Sequence, residues 1–102
     1  MLVVLTTVTN SEDAKSLADA IVHQRLAACV QILPPMISVY AWEGKVQSES
    51  EVLLLIKTLD EKFSELEAYI LANHPYDVPE IVAIPANRVS QGYNSWLTEY
   101  LT

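Results

Sequence analysis

Hydrophobic positions near the start of the chain change their spacing after a short stretch. Residues Leu2–Val8 are almost all apolar or β-branched, which predicts a strand with little alternation between its two faces. From Ser11 to about Arg25 the apolar residues recur at helical spacing, and Asn10 or Ser11 can cap this segment. The apolar stripe of the predicted helix consists of Ala14, Leu17, Ala18, Ile21 and Val22.

The middle of the chain predicts a long β-hairpin. A strand pattern covers residues 29–42 and is interrupted by Pro34 and Pro35, which suit a bulge or the edge of a sheet. The Glu-Gly pair that follows is a turn signal, although a weaker one than Asn-Gly. The return strand, residues 45–57, alternates with polar residues at first and then contains the uninterrupted apolar run VLLLI. Such a run indicates a strand with both faces covered.

The last third of the chain repeats the helix and strand signals. A helical pattern over residues 60–73 is stopped by Pro75, a strand pattern covers residues 80–86, and a second helical pattern covers residues 90–101. The resulting order is β-α-β-β-α-β with a C-terminal helix. This order predicts an α+β, ferredoxin-like sandwich with an antiparallel sheet, formed by residues 1–102 as a single domain.

Such a sandwich leaves one face of its sheet without helices, and the composition bears on what covers that face. Hydrophobic residues make up 51% of the chain and charged residues 19%, which is rich in apolar residues for a domain of 102 residues. The strands at Leu2–Leu5 and Val52–Ile56 carry apolar side chains on both faces. We therefore expect the open face to contact a second subunit or the last helix, with a closed homo-oligomer as the simplest arrangement.

Charge, cysteine content and hydropathy exclude several classes of partner. Thirteen acidic residues against six Lys and Arg make a phosphate-backbone footprint improbable, so no nucleic acid partner is expected. Cys29 is the single cysteine, and the longest apolar runs are too short to cross a bilayer. No secretory signal pattern precedes the first strand. These features predict a cytoplasmic protein without a membrane partner.

Residues with metal-ligand or acid-base chemistry do not form a recognised motif. There is no CxxC or HxxxH spacing, no glycine-rich phosphate loop and no GxSxG, so we expect no catalysis and no certain cofactor. His74 is the strongest metal candidate, because it ends a helix with acids close behind it, but it also suits a role bonding the free carbonyls of that helix end. The remaining metal candidates are Cys29, Asp77 and Glu80.

Two aromatic residues and one acid each have two possible roles. Tyr40 and Trp42 lie two positions apart, so they share one face of a strand and form either an interface or the wall of a ligand site. Glu80 is predicted to begin a strand. Its carboxylate either makes a structural salt bridge or faces a cleft. The candidate partners for that salt bridge are Lys45, Lys57 and Arg88.

Four separated motifs together resemble the CutA family of divalent-cation tolerance proteins. They are LAACVQI, SVYAWEGKV, ESEVLLLIKT and HPYDVPEIVAIP, and the resemblance covers essentially the full length. It implies a cytoplasmic homotrimer of ferredoxin-like subunits, similar to PII signalling proteins, with a role in tolerance of divalent metals such as copper. Some members bind metal through a first-strand cysteine and two adjacent histidines. Those positions are Thr6 and Asn73-His74 here, so only His74 carries over.

These expectations lead to one main hypothesis and two alternatives. The main one is a metal-responsive homotrimer that binds Cu²⁺ or another divalent cation weakly through His74, with Glu80, Asp77 or Cys29 as helpers. The first alternative is a PII-like module that holds a small anionic or polar ligand between subunits, and the second is a non-catalytic scaffold. The residues expected around a bound small ligand are Tyr40, Trp42, Lys57, Tyr76 and Glu80.

Overall fold

A computed structural model describes all residues, 1–102, and contains five antiparallel strands and three α-helices. The strands run in the order β2-β4-β1-β5, and β3 also pairs with β4. This is the expected α+β, ferredoxin-like arrangement with an added C-terminal helix. The elements are β1 (Leu2–Val8), α1 (Ser11–His23), β2 (Cys29–Ile32), β3 (Met36–Trp42), β4 (Lys45–Thr58), α2 (Phe63–Asn73), β5 (Val82–Pro85) and α3 (Gln91–Leu101).

Helices α1 and α2 cover one face of the sheet and enclose the main core. Asn10 caps α1, since its side-chain oxygen accepts a hydrogen bond of 2.8 Å from the Asp13 amide. Of the predicted apolar stripe of α1, Ala14, Ala18 and Ile21 are buried, whereas Leu17 and Val22 are half-buried. The buried residues of α1 and the Leu66–Ile70 pair of α2 pack against alternate residues of β1 and β4. Period-two alternation therefore decides which strand residues enter the core. The fully buried ones include Val4, Val52, Leu54 and Ile56.

Strand β4 is long because it belongs to two pairings at once. Its first half pairs with β3 and its second half pairs with β1 and β2, so the β3–β4 hairpin extends beyond the body of the sheet. The longest dimension of the chain is accordingly 44 Å, against 25 and 23 Å in the other two directions. Glu43 and Gly44 form the hairpin tip, with φ of 51° and 76°. These left-handed values are the ones that a two-residue type I′ turn requires.

The face of the sheet opposite α1 and α2 is only partly covered. Helix α3 packs over one end of it, where Leu97 and Leu101 are buried with Ala28. The rest of this face carries six apolar residues of β4, β1 and β5 that are half-buried or exposed, with Thr7, Gln31 and Lys57 next to them in the ladders. The six apolar residues are Val3, Leu5, Leu53, Leu55, Val82 and Ile84, which we call the open apolar face.

The structure corrects some boundaries of the predicted elements. The strand pattern over residues 29–42 is interrupted at Leu33–Pro35, as the two prolines predict, and forms two separate strands because proline has no amide hydrogen to donate to the ladder. The last strand begins at Val82, so Glu80 lies in the preceding loop and does not begin a strand. The first helix ends at His23, slightly before the expected end near Arg25. No helix combines the length and the apolar character that crossing a membrane requires.

Candidate functional site

A cavity of about 700 Å³ lies between the β3–β4 hairpin and the loop that follows α2. Tyr40 and Trp42 line it from β3, as their shared face of the strand predicts. Tyr76, Asp77 and Glu80 line it from the loop. The tertiary fold thus brings together four of the five residues expected around a small ligand, together with two of the metal candidates. The remaining wall residues that bear polar groups include Thr7, Ser38, Gln47, Glu49 and Glu51.

His74 holds the loop in place through its ring. Its Nε2 lies 2.7 Å from the Thr7 carbonyl oxygen, and its Nδ1 accepts a hydrogen bond of 3.1 Å from the Tyr76 amide. Because Nδ1 accepts, Nε2 carries the proton and donates to the carbonyl. Strand β5 pairs only with Leu2–Leu5 of β1, so His74 satisfies a carbonyl that β5 does not reach. The ring therefore bonds β1 and its own loop, and not the carbonyls at the end of α2.

Tyr76 lies at the centre of the polar contacts in the cavity. Its hydroxyl donates to Glu51 Oε2 at 2.9 Å and lies 3.3 Å from Thr9 Oγ1. Its ring is 4.5 Å from the His74 ring, measured between centroids. Glu51, which accepts this hydrogen bond, is buried, with 8% of its surface exposed. The loop after α2 is thus fixed to both β1 and β4.

Burial and nearby acids change the acidity of two phenols in the cavity. Burial is the main cause that raises the pKa of Tyr76, the Thr9 hydrogen bond lowers it, and Glu51 and Glu49 raise it further. Tyr40 has its pKa raised by partial burial first and then by Glu49 and Glu51. Both hydroxyls are therefore held in the protonated form, in which Tyr76 can donate to Glu51.

The raised pKa of Tyr76 predicts how stability depends on alkaline pH. A raised folded pKa stabilises the native state below the ordinary value of about 10, and this stabilisation is lost as the pH rises through the folded pKa. We expect the thermal midpoint of the wild-type protein to fall more steeply above pH 10 than that of Tyr76→Phe, which cannot ionise. Thermal denaturation between pH 8 and 11 measures this, and parallel curves for the two proteins would contradict the prediction.

Two further predicted residues lie outside the cavity. Cys29 and Lys57 are paired across β2 and β4, beside Tyr93 of α3. The Lys57 Nζ lies 5.6 Å from the centroid of the Tyr93 ring. Burial and the neighbouring Cys29 raise the pKa of Tyr93. A site that combines Lys57 or Cys29 with the cavity would thus need a second subunit, since this chain separates them.

The family's metal-binding positions occupy three different environments. Thr6 is fully buried on the helix side of β1, and its Oγ1 has no hydrogen-bond partner. The Asn73 side chain donates to the Tyr69 carbonyl at 2.8 Å, and His74 bonds Thr7. No three His, Cys, Asp or Glu side chains of the chain are gathered closely enough to hold a metal ion. The structural salt bridge considered for Glu80 is not formed, since the chain's one ion pair joins Lys15 to Asp19.

Sequence reasoning missed the contribution of β4 to the cavity. Gln47, Glu49 and Glu51 all line it, and they alternate at every second position of a predicted strand. In the ladder Gln47 lies across from Tyr40, Glu49 from Ser38 and Glu51 from Met36. The signal that could have found them was the hairpin register set by the Glu-Gly turn, which places acids of the return strand beside the aromatic residues.

Comparison with known proteins identifies relatives along the whole chain. The profile of the family described as CutA1 divalent ion tolerance protein matches residues 2–100. "Protein CutA, chloroplastic" of Arabidopsis thaliana is 52% identical over 96 residues, which are 94% of this chain and 53% of that protein. The chain therefore spans about half the length of this plant relative. The "Divalent-cation tolerance protein CutA" of Thermus thermophilus is 47% identical over 97 residues, 95% of this chain and 94% of that protein.

The fold agrees equally well with a solved structure. The divalent cation tolerance protein Cut A1 from Thermus thermophilus superposes with a TM-score of 0.95 and 46% sequence identity, covering 100% of both chains. The Thermus relatives are named as tolerance proteins, and their names state no enzyme activity. Both the sequence and the fold therefore lead to one assignment: the chain belongs to the CutA1 divalent ion tolerance protein family.

Proposed function

We propose that the protein is a cytoplasmic, non-catalytic homotrimer that contributes to tolerance of divalent metal ions, copper among them. The observation that carries the proposal is the open apolar face, since its six residues line up across β4, β1 and β5 and only one end of the sheet is covered by α3. A contiguous apolar face of this kind is typical of a subunit interface. The family membership supports the role in metal tolerance.

The protruding hairpin supports the same assembly. Its outer face carries Ile37, Val39 and Val46, which are 74%, 69% and 80% exposed. The first half of β4 pairs with β3 on one side only, so its other edge has backbone groups without a strand partner. Exposed edges and apolar side chains together favour pairing with a neighbouring subunit. Pairing between three such hairpins closes a ring without leaving a free edge.

Weak metal binding is proposed at the loop after α2. Asp77 and Glu80 offer oxygen ligands at the cavity. His74 comes earlier in the same loop, and its two nitrogens already bond the backbone. A metal that recruited His74 would have to replace one of those hydrogen bonds, which lowers its net affinity. Cys29 would join such a site only from another subunit. Few protein ligands leave most coordination positions to water, in agreement with weak binding.

Calorimetric titration with Cu²⁺ and with Zn²⁺ tests the metal proposal. We expect saturable heats at a fixed number of ions per trimer, with the trimer mass checked by light scattering. The double variant Asp77→Asn/Glu80→Gln should weaken binding at least tenfold, whereas Glu65→Gln, which changes an exposed acid on α2, should leave it unchanged. Comparing His74→Ala with these variants reveals whether the ring contributes. Equal heats for the wild type and every variant would reject this site.

A PII-like role in binding a small ligand is the second candidate. It is favoured by the cavity itself, since about 700 Å³ lies within the usual range for small-molecule sites and Tyr40, Trp42, Tyr76 and Glu80 all line it. Lys57 would complete the expected set only if a neighbouring subunit supplied it. A scaffold without any ligand remains the third interpretation, in which the same aromatic residues serve only assembly.

A further inference from the structure

Every charged side chain that lines the cavity is an acid. Glu49 and Glu51 come from β4, and Asp77 and Glu80 come from the loop after α2. No Lys, Arg or His side chain is among the lining residues. The potential inside the cavity is therefore negative, and its low-dielectric walls strengthen that field. An anionic ligand would be repelled, whereas a cation would be attracted.

Glu51 supplies an independent sign that a cation belongs in the cavity. Only 8% of its surface is exposed, yet its single hydrogen-bond partner in the chain is the Tyr76 hydroxyl, which bonds Oε2. The second carboxylate oxygen, Oε1, accepts no hydrogen bond within the chain. It stays accessible to solvent, since Thr6 Oγ1 is the one fully shielded side-chain oxygen or nitrogen without a partner. Glu51 takes part in no salt bridge. Glu51 has little exposed surface and no paired cation, so its charge keeps only part of its hydration. The free oxygen is thus an acceptor that a positive group in the cavity can reach.

The walls around this carboxylate are aromatic. Tyr40 and Trp42 share one face of β3, and Tyr76 stands opposite them on the loop. The faces of tyrosine and tryptophan rings attract ammonium groups through the ring quadrupole, and the attraction grows when the cation is desolvated. The faces of these rings carry no lone pair with which to coordinate Cu²⁺ or Zn²⁺. They are well suited to a cation that carries apolar CH₂ groups.

From the charge, the unpaired carboxylate and the aromatic walls together, we propose that this cavity binds an organic ammonium cation of the aliphatic amine class. One ammonium group pairs with Glu51, the alkyl chain lies against Tyr40 and Trp42, and a second ammonium group reaches Asp77 or Glu80. The cavity volume of about 700 Å³ accommodates such a molecule. The inference rests on the small-ligand candidate above, which it deepens, and does not depend on metal binding.

A matched set of four-carbon probes tests the proposal. 1,4-Diaminobutane is a dication at pH 7, 1,4-butanediol is its neutral counterpart, and succinate is the dianion of the same length. The background variant Trp96→Phe leaves Trp42 as the one tryptophan, so that fluorescence reports on the cavity wall. The titrations are run in ~0.15 M NaCl, which screens non-specific attraction to the acidic surface. We expect saturable quenching by the diamine and at least tenfold weaker effects of the diol and of succinate.

Two variants locate the binding site. Glu51→Gln should weaken diamine binding at least tenfold while keeping a side chain of the same shape, and Glu65→Gln on the exposed side of α2 should leave it unchanged. Trp42→Leu, followed by calorimetry, should also weaken binding at least tenfold, and it changes a side chain on the exposed hairpin that the core does not need. Circular dichroism checks that each variant is folded. The two substitutions therefore test the ion pair and the aromatic wall separately.

Three results would overturn the inference. They are diamine binding no tighter than diol binding, an unchanged affinity in both Glu51→Gln and Trp42→Leu, and the absence of saturable diamine binding to the wild-type protein. Parallel titrations keep this inference separate from the metal proposal. Cu²⁺ binding without diamine binding rejects the amine site alone, and diamine binding without Cu²⁺ binding supports the amine site while rejecting the metal site.

Discussion

Replacing Leu54 with alanine is expected to lower the free energy of unfolding by about 2–5 kcal/mol, because the substitution leaves a cavity in a core that can relax only partly. Leu54 has no exposed surface and packs among α1, α2 and β1 on the helix side of β4. Urea denaturation followed by circular dichroism measures the change. Among the buried residues of this strand it is the largest side chain together with Ile56.

The matched control for this substitution is Leu71→Ala. Leu71 is a leucine on α2 with 55% of its surface exposed, so truncating it removes little buried area. Leu71→Ala is therefore expected to lower the free energy of unfolding much less than Leu54→Ala does. If both variants lost the same free energy of unfolding, the helix-covered face of the sheet would not be the core that stabilises the chain.

Replacing the next residue, Leu55, with aspartate is expected to dissociate the proposed trimer. Leu55 points to the opposite side of β4 and lies in the open apolar face, between its ladder partners Leu5 and Gln31. A carboxylate buried at a subunit interface without a paired cation is strongly unfavourable. We expect light scattering to give three times the chain mass for the wild type and a single chain mass for Leu55→Asp.

Leu71→Asp provides the control for the assembly. It introduces the same charge at an exposed leucine of α2, a helix on the other side of the sheet, and should leave the trimer intact. Near-native far-UV circular dichroism for Leu55→Asp would separate dissociation from unfolding. A trimer that persists in a folded Leu55→Asp protein would exclude the open apolar face as the interface.

Leu54 and Leu55 illustrate why the run VLLLI could be interpreted from sequence only in part. The absence of alternation correctly predicted that both faces of this strand carry apolar residues. What covers each face depends on where distant segments pack. Helices α1 and α2 cover the side of Leu54, whereas α3 reaches only one end of the other side.

The candidate site was predictable only where neighbouring residues define it. Tyr40 and Trp42 share a face because of strand periodicity, and the acids of the loop after α2 are close in sequence. The hydrogen bond of Glu51 to Tyr76 could not be found in this way, because Tyr76 lies 25 positions further along the chain. Similarly, the engagement of both His74 nitrogens depends partly on Thr7, which is 67 positions away.

The sequence by itself determined the order of helices and strands, the hairpin turn, the strand interruption before Met36 and the family. These features depend on local periodicity, on proline and glycine, and on motifs that are contiguous in the chain. Only the tertiary structure decided that the hairpin and the loop after α2 enclose an acidic aromatic cavity and that Lys57 and Cys29 lie outside it. Side-chain burial and hydrogen bonding across the sheet are properties of non-local packing, which local sequence patterns do not contain.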